Sequence, residues 1–225
     1  MANHPADQPV QIPTGAQWAG HIRSLIRQPL SAVPFDQSDS KRASYIESFT
    51  DEYGNRRATD QPFLGYLLEV EFEAQSPPEA LDQRLWWMIQ SGKYDEVRIA
   101  SLIEPKDALV HESASLAIEY RTMVELCALH ALWVIANRLG SDRLIDRCLN
   151  AAAWHTRELQ PDNAINRPWA TQVFIALAQQ GDDAETRHLA HLHAQTLIHN
   201  SSISFGTPDI LSALILKDVV DQLVG

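Results

Sequence analysis

Apolar positions along the chain recur at helical spacing, and one pattern of two helices joined by a tight turn occurs twice. Residues 132–135 (Leu-Trp-Val-Ile) run into Gly140, and residues 173–176 (Val-Phe-Ile-Ala) run into Gly181, 41 positions later. Each glycine follows an apolar helix and precedes a second helix that starts at a polar cap. The repeat predicts antiparallel helical hairpins stacked side by side.

A related hairpin precedes these two. Residues 85–88 run into Gly92, and residues 76–79 (Ser-Pro-Pro-Glu) have the composition of a helix start, with a serine cap and prolines in the first turn. A further helix is predicted over 94–103. We therefore expect the hairpin repeats to extend over 81–224.

The first third of the chain is less regular. Residues 1–13 predict a loose arm, and residues 14–17 form a capping box that starts a helix. Residues 28–38 contain two prolines and resemble a linker, and a short helix is expected over 39–49. Residues 62–73 are compatible with a helix or a strand, and we favour a helix because Leu64, Leu67 and Leu68 lie at helical spacing.

We expect the whole chain, 1–225, to form a single all-α domain that includes the remaining predicted helices. They are predicted over the ranges 113–139, 142–158, 168–180 and 208–223, with one more after the acidic cap at 182–185. The last helix is apolar on more than one face, so we expect it to pack on the N-terminal helices or on a second copy of the chain. Self-association as a homodimer is therefore expected.

Composition limits the classes of partner that we expect for the protein and indicates its location in the cell. The net charge of −11 and the pI near 5.2 argue against nucleic acid and anionic membranes as partners. No run of 18 apolar residues occurs, and the N-terminal residues lack the pattern of a signal peptide, so a cytoplasmic protein is expected. Cys127 and Cys148 lie about 7 Å out of register across the turn at Gly140, which predicts two buried, reduced thiols.

The hairpin pattern resembles that of α/α-hairpin repeat proteins. These include open α-solenoids and the α/α toroids of some glycan-processing enzymes and terpene cyclases, and the resemblance covers residues 81–223. It concerns architecture alone and implies an open α/α superhelix or a partial α/α toroid. Terpene cyclases use an Asp-Asp-x-x-Asp metal motif, whereas Asp182-Asp183 lacks the third aspartate and is interpreted as a helix cap.

Alternation of tight turns and longer loops places the longer loops at one end of the stack, which we call the long-loop end. Loops that a rigid scaffold positions usually carry binding residues. The stretch from His155 to Trp169 offers a base, acids, cations, amides and an aromatic ring, and the loop before residue 113 adds an imidazole and a carboxylate. The candidate ligand-binding residues are therefore His111, Glu112, His155, Arg157, Glu158, Asp162, Asn163, Asn166, Arg167 and Trp169.

The same residues also have structural interpretations. Pro161-Asp162-Asn163 is turn chemistry, Asn166 can cap the next helix, and Glu112 favours a helix N-terminus. His188, His191, Gln195 and His199 share one helical stripe, but His199 lies about 16 Å along the helix from His188, too far for one metal ion. This stripe is interpreted as solvated or interfacial, and neither a metal site nor a cofactor is expected.

The sequence leaves two functions open. The first is a non-enzymatic scaffold that binds a protein partner, because hairpin stacks present extended surfaces and no catalytic motif occurs. The second is a toroid-type enzyme or binder that acts on a glycan or another polar small molecule at the long-loop end. Whether the protein is an enzyme stays open at this level.

Overall fold

Helices account for the regular structure of the chain. The computed structural model describes residues 12–72, 77–110, 117–158 and 167–224, and within these ranges there are no strands. The helices are α1 Gly15–Ile26, α2 Asp39–Ser48, α3 Asp60–Leu67, α4 Leu81–Ser91, α5 Glu96–Ala100, α6 Ile118–Leu139, α7 Asp142–Glu158, α8 Thr171–Gln180, α9 Ala184–Asn200 and α10 Ile210–Val224, with a short 3₁₀ helix at Pro29–Ala32. The predicted all-α class is confirmed.

Local capping chemistry sets several helix ends where the sequence predicts them. At the start of α1, the Thr14 hydroxyl accepts from the backbone N–H of Gln17, and the Gln17 side chain accepts from the backbone N–H of Thr14. Asp183 caps α9 in the same way through the N–H of Thr186. Gly92 and Gly140 end α4 and α6 in the left-handed conformation that glycine adopts without steric cost.

Other predicted boundaries are wrong or shorter than expected. In the 62–73 segment the helix ends at Leu67, and the described residues after it form no strand. Pro77 and Pro78 lie outside a helix, because α4 begins only at Leu81. The helix predicted over 94–103 is a single short one, α5, which ends at Ala100, and the backbone carbonyls of residues 104, 106 and 108 bond to Arg147 on α7 instead.

Several helices pack against helices that are close to them in the chain. α6 pairs with α7 and α8 pairs with α9, while α4 lies on α6 and α3 lies on α4. The last helix, α10, packs against α1 and α8, so its apolar faces are covered by the N-terminal helix. This arrangement is compatible with a helical-repeat architecture, and it realises the first of the two alternatives expected for α10.

Four aromatic rings form the centre of the core, and we call them the four-ring cluster: Phe63, Trp86, His130 and Trp169. All six pairs of these rings lie within contact range, with centroid separations from 4.9 to 6.5 Å. Phe63 lies on α3, Trp86 on α4 and His130 on α6, and Trp169 lies just before the start of α8. Edge-to-face and tilted pairs of this kind add to the free energy gained by burial alone.

His130 links the four-ring cluster to α10 through hydrogen bonds. Its Nδ1 accepts from the backbone N–H of Ala170, so its Nε2 carries the proton and donates to Asp218 at 2.8 Å. Tyr66 donates its hydroxyl to the other oxygen of Asp218, also at 2.8 Å. His130 and Asp218 are buried, and their bonds therefore join α3, α6, α8 and α10 in the interior.

Two features of α6 bear on the environment of the chain. α6 is the one helix among the described residues that is long and apolar enough to cross a membrane, and 83% of the relevant window is buried inside the fold. Cys127 on α6 and Cys148 on α7 are both buried and free, as the sequence predicts. The Trp86 indole N–H lies 3.3 Å from the Cys127 sulfur and donates to it.

Candidate functional site

The described structure places five of the ten candidate ligand-binding residues. His155, Arg157 and Glu158 form the last turn of α7, and Arg167 and Trp169 lie just before α8. The other five, which are His111, Glu112, Asp162, Asn163 and Asn166, lie outside the described residues. Arg157 and Glu158 are exposed to solvent.

His155 is buried inside the fold next to a carboxylate. Its Nε2 lies 3.6 Å from Oε1 of Glu125, which is beyond hydrogen-bonding distance, and both side chains are at most 3% exposed. Within the described part of the chain, neither ring nitrogen of His155 has a hydrogen-bond partner. A buried polar group without a partner costs free energy, so this imidazole needs a structural or functional explanation.

Glu125 and Arg147 hold the loop that leads into the 111–116 segment. The Glu125 carboxylate accepts the backbone N–H groups of Leu109 and Val110. The Arg147 guanidinium donates to the backbone carbonyls of residues 104, 106 and 108. The buried acid Glu125 thus binds N–H groups of this stretch of backbone, and the buried cation Arg147 binds its carbonyl groups. These bonds hold the loop to α6 and α7.

A second histidine lies near His155. The ring of Phe174 stacks on His193 at 4.2 Å and meets His155 edge-on at 6.3 Å. Burial, and to a smaller extent the nearby His155, lower the pKa of His193 to about 3, so His193 is neutral at physiological pH. The group of Glu125, His155 and His193 has the elements of an acid–base site, but its histidines are closed off from solvent.

Arg167 lies at the centre of an ion cluster rather than in an open ligand site. Its guanidinium contacts carboxylate oxygens of Asp51, Glu52 and Asp209, and its side chain is 12% exposed. Burial lowers the pKa of Arg167, but the three acids together outweigh burial and raise it. One cation therefore joins the loop at 51–52 to the start of α10 and to the residues before α8.

Trp169 belongs to the four-ring cluster and is 2% exposed. Its indole packs against rings from α3, α4 and α6, so both the ring faces and the edges are taken up by the core. The described candidates are thus dispersed: one is buried beside Glu125, one is in an ion cluster, one is in the core and two are exposed.

The structure also places two buried acids that sequence reasoning did not single out. Asp60 and Asp82 are 2% and 5% exposed, and one carboxylate oxygen of each has no hydrogen-bond partner among the described residues. Burial raises the pKa of both, and that of Asp82 rises to about 6. Both stand in the first turn of a helix, α3 and α4, where an acid normally serves the helix N-terminus, so the sequence alone does not indicate their burial.

A groove between α1 and α9 forms a cavity of about 640 Å³. Its walls include Trp18, His21 and Leu25 from α1 and Gln195, Ile198 and His199 from α9. α1 packs mainly on α10, and α9 packs mainly on α8, so the two helices form facing walls. The predicted stripe of His188, His191, Gln195 and His199 partly lines this groove, through Gln195 and His199.

Three smaller cavities, of about 390 to 440 Å³, lie elsewhere on the surface. None of these four cavities is lined by His155 or Glu125. Within the described residues, no three His, Cys, Asp or Glu side chains come together in a way that could hold a metal ion.

No protein-family model, curated protein or solved structure matches the chain at a significant level. The assignment of a function therefore rests on the geometry of the chain itself.

We expect Arg167→Ala to lower the free energy of unfolding by about 3–5 kcal/mol, because it leaves three partly buried carboxylates without their cation. Urea unfolding curves at pH 7 measure the loss. Arg143→Ala is the control, since Arg143 forms a surface ion pair with Glu96 and its loss should cost less than about 1 kcal/mol. Equal effects of the two changes would contradict the structural role of the cluster.

We expect His155→Leu to raise the free energy of unfolding by about 1–2 kcal/mol, because it removes two unpartnered ring nitrogens from the interior. His130→Leu is the matched comparison, since His130 is also fully buried but forms two hydrogen bonds. It should lower the free energy of unfolding by about 2–4 kcal/mol. Thermal melts of both variants measure these opposite changes in stability. A large loss of stability in His155→Leu would show that the ring nitrogens of His155 are needed for folding.

We expect Asp82→Asn to stabilise the protein at pH 7.5 by about 2 kcal/mol, with the gain disappearing toward pH 4. The folded-state pKa of Asp82, about 6, lies above the usual value, so the folded protein binds this proton more tightly than the unfolded chain. Ionisation of Asp82 therefore costs stability as the pH rises from about 4 to about 6, and the full cost is present above that range.

Melting temperatures across pH 4 to 8 test this prediction, with Asp142→Asn as the control. Asp142 occupies the first turn of α7 but is exposed, so its replacement should cost a few tenths of a kcal/mol (about 0.3–1) at neutral pH. A gain for Asp82→Asn that is independent of pH would rule out the assigned cause.

Proposed function

We propose that this protein is a non-enzymatic helical scaffold that binds a helical segment of a partner protein in the groove between α1 and α9. The observation that carries the proposal is the groove itself, about 640 Å³ in volume and walled by two helices that run side by side. Grooves between helices are a recurrent way of binding an amphipathic helix.

The size and lining of the groove suit such a partner. α1 has 12 residues and is about 18 Å long, which corresponds to about three turns of a docked helix. Trp18, Leu25 and Ile198 supply apolar surface along the groove. Ile203 and Phe205 follow α9, next to the groove residues Ser202 and Gly206, and are 63% and 58% exposed. Exposed apolar residues that adjoin a groove are typical of protein–protein interaction sites.

The finer architecture and location are part of the same proposal. We propose that the hairpins over 81–224 act as stacked repeats that hold α9 rigid, so that the groove has a fixed wall on this side. A cytoplasmic location is supported by Cys127 and Cys148, because free, buried thiols suit a reducing compartment. Homodimer formation and a polar small-molecule partner remain predictions of the sequence.

One observation favours a second candidate function, an enzyme or binder of a glycan or other polar small molecule at the long-loop end. Glu125 and His155 lie 3.6 Å apart beside the loop that leads to His111 and Glu112, and the His155 nitrogens have no partners. An imidazole next to a carboxylate is the usual pair for acid–base chemistry. The burial of both side chains makes this the second choice.

We expect helical peptides selected from a displayed library to bind the wild-type protein and to bind Gln195→Trp about tenfold more weakly or worse. Gln195 is exposed on the α9 wall of the groove, and a tryptophan there fills space that the peptide would use. Fluorescence anisotropy of labelled peptides measures the affinity of each variant.

The control is Arg23→Trp, since Arg23 is exposed on α1 and does not line the groove. It should leave peptide affinity within about twofold of the wild type. Peptides that bind both variants equally, or a library that yields no binder, would contradict the proposed function. The second candidate would then be tested by a ligand screen with sugars and carboxylates against wild type and Glu125→Gln.

A further inference from the structure

Two buried histidines of α9 lie on opposite sides of that helix. His191 and His193 are 5% and 3% exposed and stand two positions apart, which places them about 200° apart around the helix axis. The His191 ring lies 5.5 Å from the ring of Trp18 on α1. The His193 ring stacks on Phe174 of α8 at 4.2 Å. One imidazole therefore packs α9 on α1, and the other packs α9 on α8.

The surroundings of both imidazoles favour the neutral form. Burial is the main cause that lowers the pKa of both groups, and the pKa of His193 falls to about 3. The ionisable neighbours that add to this effect are also imidazoles, His188 for His191 and His155 for His193. Helix α8, Thr171–Gln180, packs on α9 and contains no ionisable side chain. A proton on either imidazole is therefore disfavoured while α9 stays packed.

The carboxylate of Glu125 on α6 faces His155 rather than the two histidines of α9. Its Oε1 lies 3.6 Å from Nε2 of His155, and its oxygens accept the backbone N–H groups of residues 109 and 110. His155 and His193 contact the same Phe174 ring, at 6.3 and 4.2 Å. A charge on His155 therefore adds to the cost of a charge on His193.

The remaining charged groups around α9 are exposed or bound elsewhere. Hydrogen bonds from Thr186 lower the pKa of the cap residue Asp183, so Asp183 stays ionised down to about pH 4. The guanidinium of Arg187 donates to the backbone carbonyl of Gly181. Solvent screens the exposed charges, which are His21 and Arg23 on α1, Arg157 and Glu158 at the end of α7, and Glu185 and His199 on α9.

Mild acid acts in opposite directions on two parts of the molecule. Because the pKa values of His191 and His193 are lowered, the stability that these neutral imidazoles contribute is lost as the pH falls below about 6.5, the unfolded value. Because burial raises the pKa values of Asp60 and Asp82, acid relieves the cost of their ionisation at the starts of α3 and α4. The loss of stability in mild acid is therefore directed at α9.

From this packing we infer that α9 is an acid-sensitive element, which separates from α1 and α8 when His191 and His193 take up protons, while the rest of the fold stays in place. The charged imidazoles regain water once α9 has moved, and that hydration drives the change. Because α9 forms one wall of the α1–α9 groove, its release also removes the groove. This last consequence rests on the proposed function, whereas the movement of α9 does not.

The experiment is hydrogen exchange of the full-length protein, followed by mass spectrometry at about pH 7.5, 6 and 5 and corrected for the intrinsic exchange rate. We expect the protection of α9, Ala184–Asn200, to fall about tenfold or more between pH 7.5 and pH 5, since each imidazole that takes up a proton contributes up to about tenfold per pH unit below about 6.5. The protection of α4, Leu81–Ser91, should fall less, because protonation of Asp82 offsets part of the loss.

Two variants remove the proton acceptor at His193. His193→Gln is neutral at every pH used, and His193→Phe also keeps an aromatic ring to stack on Phe174, so it serves if the glutamine variant does not fold. Thermal melts at pH 7.5 check both. Either variant should reduce the acid-induced loss of protection in α9 about tenfold.

The control is His199→Gln. His199 is exposed in the last turn of α9, where a proton favours the helix, so its replacement should leave the acid-induced loss in place or enlarge it by less than about fivefold. Three results would overturn the inference: protection of α9 that is the same at pH 7.5 and pH 5, an equal loss in α9 and α4, or a loss in α9 that both His193 variants retain.

Peptide binding separates this inference from the proposed function. Library-selected helical peptides should bind the wild-type protein about tenfold more weakly at pH 5 than at pH 7.5, and His193→Gln should remove most of this difference. Peptides that bind equally at both pH values while α9 loses protection would overturn the groove as the binding site and leave the acid-sensitive helix. Peptides that bind equally while α9 keeps its protection would overturn the acid-sensitive helix and leave the groove.

Discussion

The bonds of one imidazole tie together the helices on which the rest of the structure depends. His130 lies fully buried on α6, in contact with the other members of the four-ring cluster, and links Ala170 at the start of α8 to Asp218 on α10. Ala170 has a φ of +59°, a backbone conformation that costs about 1–2 kcal/mol for a residue with a Cβ, and the bond to His130 compensates for part of that cost. His130 thus holds the start of α8 against α6 and α10 in the core.

The largely buried charged side chains of Glu125, Arg147 and Arg167 fix loops. Glu125 and Arg147 bind the backbone of residues 104–110, and Arg167 joins the loop at 51–52 to the start of α10. These three charged side chains are therefore engaged in contacts within the protein. His155 is the exception, because it is buried beside these groups without a hydrogen bond of its own, and it is the residue on which the second candidate function depends.

How well a feature can be predicted from the sequence depends on how local its cause is. Thr14, Asp183, Gly92 and Gly140 act within one turn of chain, and the sequence indicates their roles correctly. The acids that bind Arg167 lie 42, 115 and 116 positions away, so nothing next to Arg167 distinguishes an ion cluster from a ligand site. The role of Trp169 is equally hard to predict, since its ring partners come from three earlier helices. The groove also joins two walls, α1 and α9, that are far apart in the chain.

The groove lies between α1 and α9 because the apolar face of each of these helices packs against a different helix. α1 buries Ala19, Ile22 and Ile26 in the core and packs on α10, close enough that Gly15 lies against Leu223. α9 buries Ala190, Ala194 and Leu197 and packs on α8. Gln195 and His199 on α9 face His21 across the gap, and closing it would remove these polar side chains from water without supplying partners. Desolvation of these side chains therefore opposes closure of the groove in the free protein.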